Sequence, residues 1–254
     1  MQNTVPAFFQ QVSSCPFFIA GPCAVESYGM LDEITGYLVS KNISVIRAGA
    51  FKPRTSPDSF QGLGTEALAM FRKIRKKYAV KIVSEIVDLK YLTAMCEAVD
   101  ILQVGSRNMF HYELLKELGR TGIPIILKRG LCATVYEYIQ AAQYILRGGN
   151  YNLIFCERGI RSYDRCTRNV LDLSAVAILK KEADFPVLVD ISHSLGRKDI
   201  AVPMSRAALA AGADGIMVEV HNHPEKALSD SGQQMSFSEF DLYYETLYNA
   251  PSVG

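Results

Sequence analysis

The chain has no CxxC pair, no apolar run of about 18 residues that could span a bilayer, and almost no net charge. Its 27 Lys+Arg stand against 26 Asp+Glu, a formal charge of +1 over 254 residues. That balance argues against a nucleic-acid or anionic-membrane partner. The six cysteines, Cys15, Cys23, Cys96, Cys132, Cys156 and Cys166, are scattered rather than paired, as expected of reduced thiols in a cytoplasmic protein. Met1 to Ser14 offers neither the basic head nor the apolar stretch of a secretory signal. Linkers and low-complexity tracts are missing too, and the one dense basic run (Arg72, Lys73, Arg75, Lys76, Lys77) reads as the solvated C-terminal end of a helix.

What is present is a repeating alternation. Short apolar or β-branched runs occur at Phe17–Ala20, Val45–Ala48, Lys81–Ile86, Ile101–Val104, Pro124–Leu127, Leu153–Cys156, Pro186–Asp190 and Gly215–Glu219. Each has the length of a buried parallel strand. Helical periodicity fills the gaps, with Leu31, Ile34, Leu38, then Leu68, Phe71, Ile74, then Val135, Ile139, Ala142, and a helix-forming stretch at Ala201–Ala211. Glycines at Gly122, Gly148–Gly149 and Gly212 are the expected helix stops. Eight such units in a chain of this length predict an α/β fold of the (β/α)8 TIM-barrel type, a single domain over 1–254 with residues 1–16 as a short extension. An open doubly wound sheet is the alternative, but the first strand is followed by no G-x-G-x-x-G turn.

Barrel chemistry gathers at the C-terminal ends of the strands, so the residues there carry the functional reading. Arg47, Lys128 and Arg158 sit in or against apolar runs, where an unpaired cation is costly. Their convergence on one rim predicts bound phosphates or carboxylates; the competing explanation is internal pairing with Glu26, Glu85 and Glu157. Cys23, His193, Glu219 and Asp230 form a second set, suited in donor type to a divalent ion such as Mn²⁺, Fe²⁺, Co²⁺ or Zn²⁺. Taken singly, each has an ordinary structural explanation: a buried thiol, a hydrogen-bonded imidazole, two paired carboxylates. His221 and His223 are spare candidates for the set, with a loop role the favoured reading of each.

The segments Gly21-Pro22-Cys23-Ala24-Val25-Glu26-Ser27, Arg47 through Pro57 (RAGAFKPRTSP), Phe60-Gln61-Gly62-Leu63-Gly64, Cys156 through Arg161 (CERGIR), Asp190-Ile191-Ser192-His193 and Met217-Val218-Glu219-Val220-His221 resemble the phosphoenolpyruvate-dependent synthases of the shikimate pathway. The nearest likeness is the short type I-beta branch of 3-deoxy-D-arabino-heptulosonate 7-phosphate synthases, over about Phe17 to Leu247. That resemblance implies a TIM barrel joining phosphoenolpyruvate to erythrose 4-phosphate with release of phosphate. It implies Cys23, His193, Glu219 and Asp230 as metal ligands. Arg47, Arg107, Lys128 and Arg158 match the positions that hold phosphoenolpyruvate, and Lys52, Pro53, Arg54 and Thr55 those that grip the aldose. Glu85 matches an acidic position beside the enolpyruvate, so Lys128, Glu85 and His193 are the catalytic candidates.

The sister 3-deoxy-D-manno-octulosonate 8-phosphate synthases resemble the chain as well, but carry Lys-Ala-Asn-Arg where this sequence has Lys52-Pro53-Arg54-Thr55. Cys23 also differs from the Asn of that branch's metal-free members. Two positions depart from the type I-beta pattern: Asp58 replaces a frequent aromatic, and His221-Asn222-His223-Pro224 replaces a His-Pro-x-Pro run. Family analogy implies a homodimer or homotetramer. The ends of the chain leave little room for the regulatory domain some relatives carry, so weak direct feedback by aromatic amino acids is expected. A sugar-phosphate sensor would need the cations but not the Cys-His-Glu-Asp set.

Overall fold

The structure is a computed structural model that describes residues 16–248. The expected extension over 1–16, Cys15 included, lies outside the described residues except for Pro16. Eight parallel strands close into a barrel in sequence order: β1 Phe17–Gly21, β2 Val45–Arg47, β3 Lys81–Ile86, β4 Ile101–Val104, β5 Ile125–Lys128, β6 Leu153–Glu157, β7 Val187–Asp190 and β8 Gly215–Glu219. β8 returns to pair with β1 over five residues, Phe17 opposite Gly215 through Gly21 opposite Glu219. Closure leaves no sheet edge unpaired.

The outer ring comprises α1 Tyr28–Ser40, α2 Thr65–Tyr78, α3 Leu92–Ala98, α4 Tyr112–Gly119, α5 Val135–Arg147, α6 Leu173–Glu182, α8 Ala201–Ala210 and α9 Phe237–Tyr248, with one additional short helix, α7 Ile191–Leu195, directly after β7. The apolar stripes of α1 and α2 are buried as expected. On α5 the expected stripe is displaced: Val135 and Ile139 are only half-buried, while Tyr138, Ala141, Ala142 and Ile145 face inward. Tyr138 explains the shift, because its hydroxyl donates to Leu127 O and accepts from Cys156 N between β5 and β6, setting the helix's rotation. The basic run does end α2, with Arg75, Lys76 and Lys77 in its last turn.

Gly149 and Gly212 follow their helices at φ +97° and +101°, as helix stops do. Gly122 does not stop α4, which closes two residues earlier through Arg120 N and Thr121 N on Glu117 O and Leu118 O. The glycines that matter there are Gly119 and Gly148: a Cβ on Gly148 would lie 2.5 Å from Gly119 C, so α4 and α5 cross backbone against backbone.

Two cores follow from strand alternation. One lies between strands and helices; the other fills the barrel with Ile19, Val45, Val83, Ile101, Ile126, Ile154, Leu188 and Met217. Successive residues face opposite sides, so two residues onward the same interior face carries Arg47, Glu85, Gln103, Lys128, Asp190 and Glu219 at the C-terminal mouth. The interior is thus apolar below and ionic above. Among the described residues no helix is long and apolar enough to cross a membrane.

Candidate active site at the barrel mouth

A cavity of about 450 Å³ opens above that ionic layer. Among the described residues, eight cationic side chains line it, Arg47, Lys52, Arg54, Arg107, Lys128, Arg158, Arg161 and Arg168, against two carboxylates, Glu85 and Asp230. Pro53, Thr55, Cys23 and His193 also reach its wall, whereas Glu219 lies just beneath, fully buried. Such an excess of positive charge in a concave site focuses the field on anions.

The alternative of internal pairing holds for part of the set, with other partners than Glu26, Glu85 and Glu157. Arg47 Nη2 stands 3.0 Å from Glu219 Oε1, and Lys128 Nζ is bonded to Asp190 Oδ2. Even so, Nη1 of Arg47, Arg54 and Arg158 is buried with no hydrogen-bond partner among the described residues. A buried donor left unpaired costs roughly 1–3 kcal/mol, which an anionic ligand would recover. Arg107 sits exposed on the short turn after β4, at the cavity's rim.

Lys52 to Thr55 belong to an excursion pinched at its base, where Lys52 N donates to Gln61 O at 2.8 Å and Gly64 N to Ala50 O at 2.9 Å. Gly62 makes the pinch possible: its φ is +91°, and a Cβ there would fall 2.3 Å from Ala50 O. The Phe60–Gly64 motif therefore shapes the loop rather than lining the cavity.

Cys23, Glu219 and Asp230 each present a ligand atom within 4.8 Å of the others. His193 falls just outside that compact group, although its Nε2 is 3.4 Å from Glu219 Oε1 and 3.7 Å from Asp230 Oδ2. Glu219 Oε1 makes no hydrogen bond among the described residues, although Arg47 Nη2 and His193 Nε2 stand nearby. The set of a thiol, an imidazole and two carboxylates, one oxygen unsatisfied, fits a borderline divalent cation. Lys52 Nζ lies between two of these groups, 2.7 Å from Cys23 Sγ and 2.9 Å from Asp230 Oδ2.

Local geometry sets these groups up. Asp190 caps α7 by accepting from His193 N at 3.0 Å through Oδ1, and its Oδ2 meets His193 Nδ1 at 2.8 Å. With the proton assigned to Nδ1, Nε2 keeps its lone pair toward Glu219 and Asp230. Asp230 holds a left-handed backbone, φ +49°, a conformation Asp tolerates better than most residues. Gln234 Oε1 accepts from Cys23 N at 2.9 Å, and Gln233 bridges Glu219 Oε2 and Arg168 Nη1.

Charge states follow from this packing. Burial, reinforced by the Glu219 carboxylate, pushes the Cys23 thiol up to about 12. Burial lowers His193 to about 4 despite the opposing Asp190 and Glu219, so the imidazole is neutral. Burial would raise Asp190, but His193, Lys128 and Arg47 outweigh it and hold the carboxyl well below its ordinary range. Glu85 is raised by burial, only partly offset by Lys52, Lys128, Arg47 and Arg107.

Asp190 stands at the end of the seventh strand run, where the sequence assigns it no role, and the sequence points to neither Gln233 nor Gln234. Asp190 had a signal, its position two residues after the inward Leu188; the two glutamines had none, since loop contacts define them. His221 is buried with Nδ1 accepting from His223 N at 2.9 Å, and neither residue lines the cavity. Asp58 is exposed in the Lys52–Gln61 loop.

The model of the DAHP synthetase I family matches residues 14–251. A phospho-2-dehydro-3-deoxyheptonate aldolase of Thermotoga maritima is 49% identical over 93% of this chain and 70% of its own. A crystal structure of a Thermotoga maritima phospho-2-dehydro-3-deoxyheptonate aldolase superposes with a TM-score of 0.88 at 46% identity, covering 91% of this chain and 68% of the other. A 2-dehydro-3-deoxyphosphooctonate aldolase of Alkalilimnicola ehrlichii is more distant, 29% identical over 93% of this chain and 91% of its own. The chain belongs to the DAHP synthetase I family.

Proposed function

We propose that the protein is a 3-deoxy-7-phosphoheptulonate synthase, condensing phosphoenolpyruvate with erythrose 4-phosphate in the first step of aromatic amino acid biosynthesis. One observation carries this reading: eight cations around a single cavity, three with buried unpaired donors, beside a thiol–carboxylate cluster. Two anionic substrates need such a field, because bringing them together costs electrostatic as well as translational free energy.

Arg158, Arg107, Arg47 and Lys128 hold phosphoenolpyruvate in this proposal; the unpaired Nη1 of Arg158 gives it the clearest open donor. Lys52, Pro53, Arg54 and Thr55 hold the aldose, with Arg54 Nη1 the matching donor on that side. Cys23, His193, Glu219 and Asp230 would hold the divalent ion, whether Mn²⁺, Fe²⁺, Co²⁺ or Zn²⁺, since thiolate and carboxylate together accept all four. When bound, the ion supplies Lewis acidity for the aldehyde oxygen.

The reaction forms one carbon–carbon bond, between C3 of phosphoenolpyruvate and the aldehyde carbon. Water adds its oxygen at C2, and the C2–phosphate bond breaks to give a ketone and inorganic phosphate. Glu85 exchanges a proton with that water in this proposal, a role supported by the burial that raises its carboxyl. Lys128, buried against Asp190, binds the carboxylate and serves as the second proton-handling group. Gln103 Nε2 at 3.4 Å orients the Glu85 carboxyl.

The test is phosphate release from phosphoenolpyruvate, with erythrose 4-phosphate set against arabinose 5-phosphate, with and without chelator. Turnover with the four-carbon aldose, abolished by chelation, is expected. Preference for the five-carbon aldose would overturn the assignment.

A further inference from the structure

Behind the barrel mouth lies an ionic network that the reaction does not touch. Lys128 faces the interior, so the next residue, Arg129, points outward beneath the helices; Glu157, between the inward Cys156 and Arg158, does the same. There the two meet, Arg129 Nη1 lying 3.0 Å from Glu157 Oε2 and 2.8 Å from Asp172 Oδ2. Arg129 Nε donates to Ala133 O at 3.0 Å, and Asp172 caps α6 by accepting from Ala175 N. Glu157 is fully buried and Arg129 nearly so.

The other oxygen of Glu157 is the informative one. Oε1 accepts from Arg158 N at 3.1 Å and from Gly159 N at 2.7 Å. It clasps the peptide on which the Arg158 guanidinium stands, at the point where the chain turns back through Gly159 into the Ile160–Val170 bridge. A buried ion pair is rarely a net gain in stability over apolar packing of the same volume, whereas its directional bonds fix geometry. Here the fixed geometry belongs to Arg158, a cation whose Nη1 is an open donor.

We propose that Glu157, anchored by Arg129, is a positioning residue for Arg158, setting affinity for phosphoenolpyruvate without contacting it. The inference rests on the reading that Arg158 binds that substrate. Glu157→Ala removes the clasp, and Glu157→Gln keeps an oxygen for both amides but loses the charge that holds Arg129. The Kd for phosphoenolpyruvate, read from its protection against thermal unfolding, and the KM for each substrate are measured in both variants and in Arg129→Lys.

Glu157→Ala should raise KM and Kd for phosphoenolpyruvate roughly tenfold, the scale of one lost charge-assisted hydrogen bond, and leave the aldose KM within about twofold. Glu157→Gln and Arg129→Lys should show smaller shifts in the same direction, and they carry the test if the alanine variant does not fold. Equal shifts in both KM values, or none in a folded variant, would overturn the proposal. Arg158→Ala separates the two levels. If it weakens both substrates equally, the role of Arg158 itself fails; if it is selective while the Glu157 and Arg129 variants are not, only the positioning inference fails.

Discussion

Asp190 Oδ2 lies 2.8 Å from His193 Nδ1, and the same oxygen receives the ammonium of Lys128. One buried carboxylate therefore orients a candidate metal ligand and anchors a candidate proton-handling lysine. Asp190→Asn should weaken metal affinity about 10- to 100-fold, as loss of a ligand's hydrogen-bond partner does, and lower kcat with it. Removing the charge also leaves Lys128 uncompensated, a loss of about 3–5 kcal/mol when one partner of a buried pair goes. Metal titration and denaturant unfolding of the same variant check both. Unchanged metal affinity would detach His193 from the ion.

Cys23 should matter for metal and rate together. Its thiol sits within 4.8 Å of ligand oxygens of Glu219 and Asp230, and its backbone N–H is held by Gln234. Cys23→Ala is expected to lower metal content and turnover in parallel, measured by elemental analysis beside phosphate release. A variant of full activity with full metal content would exclude the thiol as a ligand.

Lys52 bridges Cys23 Sγ and Asp230 Oδ2, so its ammonium competes with any ion those groups bind. Its own proton is held tightly: burial opposes the charge, but Cys23, Glu219 and Asp230 raise the ammonium above its ordinary range. Lys52→Met should tighten metal binding several-fold while raising the aldose KM, since a like charge has left the ion's neighbourhood. Calorimetric titration would show it, and weaker metal binding in the variant would refute the competition.

Glu85 is the site's thermodynamic liability. Burial raises its carboxyl, so between the ordinary glutamate value and the raised one the folded protein binds more protons than the unfolded chain. Its contribution to stability therefore falls as pH rises through that window. Glu85→Gln should lose turnover yet melt higher than the parent near neutral pH, with the advantage vanishing in acid. Melting curves across pH would reveal the crossover; a variant less stable at every pH would contradict it.

How much of this was legible beforehand differs by level. The eight strand runs needed only local hydrophobicity, and the observed strands match them within a residue or two. The stripe on α5 was misplaced because Tyr138 looks amphipathic in sequence, and only its two backbone partners at β5 and β6 show that it turns inward. Arg47, Lys128 and Arg158 stood out because charge inside an apolar run is costly. Asp190 was equally anomalous, yet its importance lies in three partners, Arg47 on β2, Lys128 on β5 and His193 on α7.

Sequence by itself determined the order of strands and helices and the period-two alternation that turns Arg47, Glu85, Lys128 and Glu219 inward. These depend on local sterics and burial, which a chain encodes residue by residue. Tertiary structure alone decided that Arg47 meets Glu219, that Lys52 sits between Cys23 and Asp230, and that Glu157 clasps the peptide of Arg158. Such pairings join residues up to 178 positions apart, and their ångström-scale separations exist only once the barrel has closed.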